Sequence, residues 1–206
     1  MEQRVQDEPD AYFWFDLFTN DQNEVSSKDF EWLSATFRRG VVDIGKVLLV
    51  LSPWNDPQPI RRAWCLFEIF NALDERDVKL EIGLLSNEIE EMRVAVINSS
   101  DCQINALTDI QAQKAEAKVE EDRKLIFDVI KRSEGGFAHV NQQVKKGLRQ
   151  WYVETLLNLS EVTPVDPNIL LNTAKIIHEF GYLDEAMGCA RRGLKAVLNP
   201  NTANFS

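Results

Sequence analysis

The run Lys46-Val47-Leu48-Leu49-Val50-Leu51-Ser52 constrains this chain most. Between its polar ends there is no alternation of apolar and polar residues. A strand with that pattern belongs where both faces are covered, as in the middle of a parallel sheet. Parallel neighbours cannot be joined by a hairpin and need a crossover, usually a helix. The flanks supply one on each side. Upstream, Phe30, Leu33, Phe37, Val41 and Ile44 recur at three- and four-residue steps, the period of an amphipathic helix. Ser26 or Ser27 suits its N-cap and Gly45 its end. Downstream, the loop Pro53–Pro59 leads into a helix expected over about 60–74, with Pro59 in its first turn. Val78, Leu80, Ile82 and Leu84 then alternate with polar residues or glycine, which predicts a strand exposed on one side. A short helix is expected over about 87–97, and the aromatic segment Tyr12–Phe18 reads as an earlier strand. Residues 12–97 therefore alternate strand and helix, the pattern of an α/β fold with right-handed crossovers.

The rest reads as helical. Ile104, Leu107 and Ile110 form one stripe, and the charged, Ala-rich stretch Gln111–Asp122 reads as a solvated helix. Leu125, Ile126, Val129 and Ile130 form the core side of the next helix, which Gly135-Gly136 ends. A helix over about 141–159 turns Val144, Leu148, Trp151 and Leu156 inward, and a linker containing Pro164 follows. In the last segment Leu170, Ala174, Ile177, Gly181, Tyr182, Ala186, Ala190, Gly193 and Pro200 fall at the spacing of a helical hairpin. Ala174 and Ala186 are small enough for two helices to approach closely. Gly181 suits the turn, and Gly193 is read as room for a further helix pair. A single such pair cannot bury both its faces. It packs on the preceding helix or continues into an array.

Composition narrows the functions. With 44% apolar residues the chain can build a core, and a net charge of −10 disfavours nucleic acid and anionic lipid as partners. Apolar runs are far shorter than a membrane span, and no signal-peptide pattern opens the sequence. Three cysteines without metal-ligand or disulfide spacing point to a reducing, cytoplasmic setting, and two histidines make a His-based zinc site or a serine triad an unexpected reading. No Gly-rich phosphate loop is present, so kinase and nucleotide-switch chemistry is not expected.

Arg61-Arg62-Ala63-Trp64-Cys65-Leu66-Phe67-Glu68 opens the helix after the central strand. With Tyr12–Asp16, Phe30-Glu31-Trp32, Gly45–Pro53 and Trp54-Asn55-Asp56-Pro57, it resembles a Toll/interleukin-1 receptor (TIR)-like domain of the kind that precedes kinesin-light-chain-like tetratricopeptide repeats (TPR). Glu121-Asp122-Arg123, Gly136-Phe137, Val140-Asn141 and Leu148-Arg149-x-Trp151 are similar to the helical end of that domain, and the last segment to one TPR unit. A more distant likeness is to fungal heterokaryon-incompatibility domains, which also place a Trp-x-Asp strand before an amphipathic helix. The resemblance implies a three-layer α/β fold with a parallel, flavodoxin-like sheet missing its first strand, and no fifth strand is evident after residue 97. It divides the chain into a TIR-like domain over 11–100, a helical extension over 101–160 and a TPR-like helix pair over 167–200. It further implies a cytosolic signalling or scaffold protein working through protein contacts on both units, with self-association.

The alternative implied by the resemblance is an NAD-cleaving hydrolase. In catalytic members the Glu at the position of Glu68 attacks or stabilises the ribosyl centre of NAD, and NAD is then a substrate, with no cofactor and no metal. The chain order lends that reading a site, because ligands of open parallel sheets bind at the carboxyl ends of the strands. Asp16 ends the first strand, Trp54 follows the second, and Arg61 and Arg62 open the next helix. Trp64 lies on the helix face of Glu68 and joins the nucleotide-binding set. Each residue also has a plainer reading. Glu68 can pair with Arg61 or Arg62, Trp54, Trp64 and Cys65 can fill the core, Asp16 can cap or pair, and the arginines can be solvated.

Overall fold

The computed structural model describes residues 30–75, 77–99, 110–162 and 165–198, and within residues 30–34 the backbone alone. The expectations for the Tyr12–Phe18 strand, Asp16, the Ser26 or Ser27 cap, Cys102, Ile104, Leu107, Pro164 and Pro200 lie outside the described residues, as do those for the side chains of Phe30, Glu31, Trp32 and Leu33.

The described residues contain seven α-helices and two strands: α1 (Phe30–Ile44), β1 (Lys46–Leu51), α2 (Ala63–Asp74), β2 (Lys79–Leu84), α3 (Ser86–Asn98), α4 (Glu120–Arg132), α5 (Gly136–Ser160), α6 (Pro167–Glu179) and α7 (Leu183–Leu198). The fold is α/β, with β1 and β2 parallel and in register from Lys46↔Lys79 to Leu51↔Leu84. Gly45 ends α1 with φ 71°, and its carbonyl accepts from Lys79 N at 2.9 Å, so the same residue stops the helix and starts the pairing. The two lysines that face each other at that end are held by Glu81, whose Oε1 lies 3.5 Å from Lys46 Nζ and 2.8 Å from Lys79 Nζ. Among the described residues β1 has one strand neighbour, and Val47–Val50 are half-buried while Leu51 is fully buried.

The core lies mainly among the helices. Nearly every side of α2 is covered: Ala63, Leu66, Phe67, Ile69, Phe70 and Ala72 are buried, and Trp64, Cys65 and Glu68 half-buried. α4 carries acids in its first turn and Lys131 and Arg132 in its last, which complements the helix dipole at both ends. α5 runs along the core with Val140, Val144, Leu148, Tyr152, Val153 and Leu156 inward. α6 begins at Pro167, and the Asp166 carboxylate accepts from Asn168 N at 2.8 Å, a side-chain cap on one of the helix's unpaired donors. The α6–α7 turn closes with a pair of reversed bonds, Gly181 N to His178 O at 2.9 Å and Tyr182 N to Ile177 O at 3.1 Å, with Gly181 at φ 87°.

The α6–α7 pair is seated on the rest of the molecule. Asn172 Nδ2 donates to Val96 O at 2.8 Å and Ile97 O at 3.2 Å, satisfying carbonyls at the end of α3. Tyr152 of α5 meets Phe180 edge-on at 6.0 Å, and Arg192 pairs with Glu161 at 2.5 Å. No helix among the described residues is long and apolar enough to cross a membrane.

Several local expectations are corrected. Pro59 lies in a separate 3-10 turn, Gln58–Arg61, and α2 starts at Ala63 after an extended Arg62. Gln111–Asp122 is not one helix: a 3-10 turn at Ala112–Lys114 leads to an extended Ala115 and a bridge at Glu116, and Ala112 and Ala115 are buried. Leu125 and Val129 are exposed, and Phe127 joins Ile126 and Ile130 inside. Trp151 is half-buried while its neighbour Tyr152 is fully buried. Gly193 does not keep room for a further pair. A Cβ there would meet Leu171 Cδ2 at 2.8 Å and Leu170 Cβ at 3.2 Å, so its smallness serves the contact with α6.

Candidate functional site

The carboxyl ends of β1 and β2 are where an open parallel sheet offers a ligand its crevice. The loop after β1 runs Ser52–Pro57 with a cis bond between Ser52 and Pro53. It is held from beneath by a residue that sequence reasoning did not select. Glu88, 6% exposed in the first turn of α3, accepts from Ser52 Oγ at 2.7 Å through one oxygen and from the Trp54 amide at 2.7 Å through the other. A carboxylate at a helix N-terminus is favoured by the unpaired amides there, and two further donors compensate its burial. The signal was present in the pairing: Leu51 opposes Leu84, so whatever follows β1 lies beside whatever follows β2.

Trp54 is 7% exposed and its indole joins the core cluster, which leaves little of the ring for stacking on a base. Arg61 is exposed and pairs with Asp56 of the same loop. Arg62 is exposed, and its backbone neighbours are tied to residue 116: Ala63 N donates to Glu116 O at 2.8 Å and Glu116 N to Arg61 O at 2.9 Å. This short parallel bridge fixes the start of α2. Trp64 is half-buried, donates from Nε1 to Asp122 Oδ2 at 3.2 Å and meets Phe67 edge-on at 6.4 Å, so its indole nitrogen is committed to α4.

Glu68 lies on the least buried strip of α2, with Trp64 one turn before it and Cys65 three residues before it. Charge on this strip is coupled. Burial pushes the Cys65 thiol above its ordinary value, the Glu68 carboxylate adds to the rise, and Arg62 opposes it. Of the predicted site residues, Trp64 and Glu68 thus share one strip of α2, Arg62 lies just before the helix in extended backbone, Arg61 and Trp54 are bound into the loop, and Asp16 lies outside the described residues.

A cavity of about 480 Å³ opens elsewhere, lined by Phe70, Ser133, Glu134, Gly135 and His139, with Phe70 and His139 edge-on at 6.0 Å. Phe70 is two residues after Glu68, a rotation of about 200° around the helix, so the cavity and Glu68 lie on opposite sides of α2. Compared with protein-family profiles, with characterised proteins and with solved structures, the chain matches none of them.

Proposed function

We propose that this chain works by protein contact, as a cytosolic signalling or scaffold protein in which a TIR-like α/β unit carries a TPR-like helix pair. The observation that carries the reading is the exposed flank of α7, where Leu183, Met187, Leu194 and Val197 are 48–55% exposed beside the face that packs on α6. Apolar side chains grouped on one exposed face mark an interaction site. Support also comes from the sheet edge, where Trp54 is buried and Arg61 is paired within the loop. Free thiols at Cys65 and Cys189 suit a reducing compartment, and the charge of −10 suits protein rather than nucleic acid or membrane as partner.

A second reading, NAD cleavage, is favoured by one observation: Glu68 is half-buried one helical turn after Trp64, and its charge and that of Arg62 both act on Cys65 between them. There the bond between the ribosyl carbon and nicotinamide nitrogen breaks with both electrons leaving on nicotinamide. Water then adds to the carbon and releases a proton, and Glu68 stabilises the cation-like centre between the two steps. The experiment that separates the readings is nicotinamide release from NAD by the purified chain and by Glu68→Ala. Protein contact predicts no release by either. Release that disappears in Glu68→Ala, with folding intact, would reject it in favour of the hydrolase.

A further inference from the structure

The exposed apolar residues of α7 are ordered more strictly than a contact face requires. Leu183, Met187, Ala190, Leu194 and Val197 follow one another at steps of four, three, four and three, the seam of a two-stranded coil. The large residues of that seam are about half exposed, Ala190 is partly exposed, and the adjoining Leu198 is 76% exposed. The seam is also symmetric about Ala190, with Leu183 and Val197 equally far from it, and Met187 and Leu194 nearly so. A sequence with that symmetry complements itself when a second copy runs antiparallel, as an isologous two-fold contact requires.

The flank carries charges in the matching order. At about 100° per residue, Asp184, Arg191 and Lys195 fall on the side of the seam away from α6. All three are exposed, and none makes an ion pair among the described residues. In an antiparallel pair centred on Ala190, Asp184 of one copy lies opposite Lys195 of the other, twice over. Ala190, at the centre, is small enough for the helix axes to approach. Arg191 is the one discordant residue, since it lies beside the two-fold axis and faces its own mate.

We infer that the partner of α7 is a second copy of this chain, docked through an antiparallel α7–α7 seam centred on Ala190. The inference rests on the protein-contact reading and gives it a partner and a surface. Sixteen residues make a short seam, and standard interfaces start at roughly 1,200 Å², so the association expected is a weak one.

The test is the mass of the 206-residue chain by sedimentation equilibrium from about 1 to 200 µM. The expected result is a reversible rise towards twice 23.6 kDa. Leu194→Glu is expected to weaken it at least ~10-fold, the substitution counting twice in a two-fold contact, with the thermal melt unchanged. Asp184→Lys and Lys195→Asp alone should each weaken it, the double exchange should restore it, and Arg191→Gln should tighten it. A chain that stays monomeric throughout overturns the inference. So does a dimer indifferent to Leu194→Glu, which would lie on another face, and so does a monomer that dimerises only after removal of residues 199–206, which would make that segment the occupant. None of these outcomes bears on nicotinamide release, so the inference can fail while the protein-contact reading stands.

Discussion

The sheet edge and the α6–α7 pair treat their outward-facing groups in opposite ways. At the edge, the polar groups of the loop after β1 are paired within the chain: both Glu88 oxygens are used, Arg61 closes on Asp56 at the surface, and Trp54 is in the core. On α7 one face is packed so tightly that Gly193 has no space for a Cβ, while the adjoining flank leaves four large apolar side chains about half exposed. A region whose donors and acceptors are satisfied internally gains little by binding something else, whereas exposed apolar area gains by being covered. The contrast is the basis for proposing recognition at the C-terminal helices, with the sheet edge in a supporting part.

The largest effect separates the two faces of the helix pair. Ile177 is fully buried, and Ile177→Ala is expected to cost about 2–5 kcal/mol from lost burial and the cavity left behind. Leu194 is 55% exposed, and Leu194→Ala should move the monomer's stability by no more than about 0.5 kcal/mol. Urea unfolding at low protein concentration gives both. A Leu194→Ala loss comparable with that of Ile177→Ala would mean that this flank of α7 is covered within the chain.

A middle-sized effect tests the closure of the sheet edge. Glu88→Ala removes the acceptor for Ser52 Oγ and for the buried Trp54 amide, and an unsatisfied buried donor costs about 1–3 kcal/mol. Urea unfolding measures the loss. A neutral substitution would mean that the loop holds itself without α3.

Which expectations held depends on whether the signal was local. β1, β2 and α3 were legible because an apolar run, an alternation and a helical period are each contained in a few residues. Gly45 and Gly181 were legible because both occupy positive φ, where glycine is favoured. The start of α2 was not, because Arg62 is held extended by Glu116, more than fifty residues away. The same bridge pulls Ala115–Ala117 out of the helix that composition suggested. In α4 the period was read correctly but its phase was wrong: omitting Phe127 turned Leu125 and Val129 inward. Gly193 shows the same limit, since a small residue in a helix announces a close contact without saying with what. Glu88 was missed because a Glu in a first turn is ordinary; only strand register shows what it reaches.

The smallest effect concerns the strip that holds Glu68. Burial first, and Glu68 second, disfavour the Cys65 thiolate, while Arg62 favours it. The reaction of Cys65 with a disulfide reagent, followed against pH, should therefore rise at higher pH than for a free thiol, because the thiolate is the nucleophile. Cys102 and the buried Cys189 are both replaced by Ala so that the profile reports Cys65. Glu68→Gln takes away a negative charge and should move the profile towards lower pH. Arg62→Gln takes away the opposing positive charge and should move it higher. Equal profiles in all three proteins would mean that Glu68 and Arg62 are screened from Cys65 by water, in which case the strip on α2 is as solvated as any helix surface and offers a carboxylate no environment different from bulk.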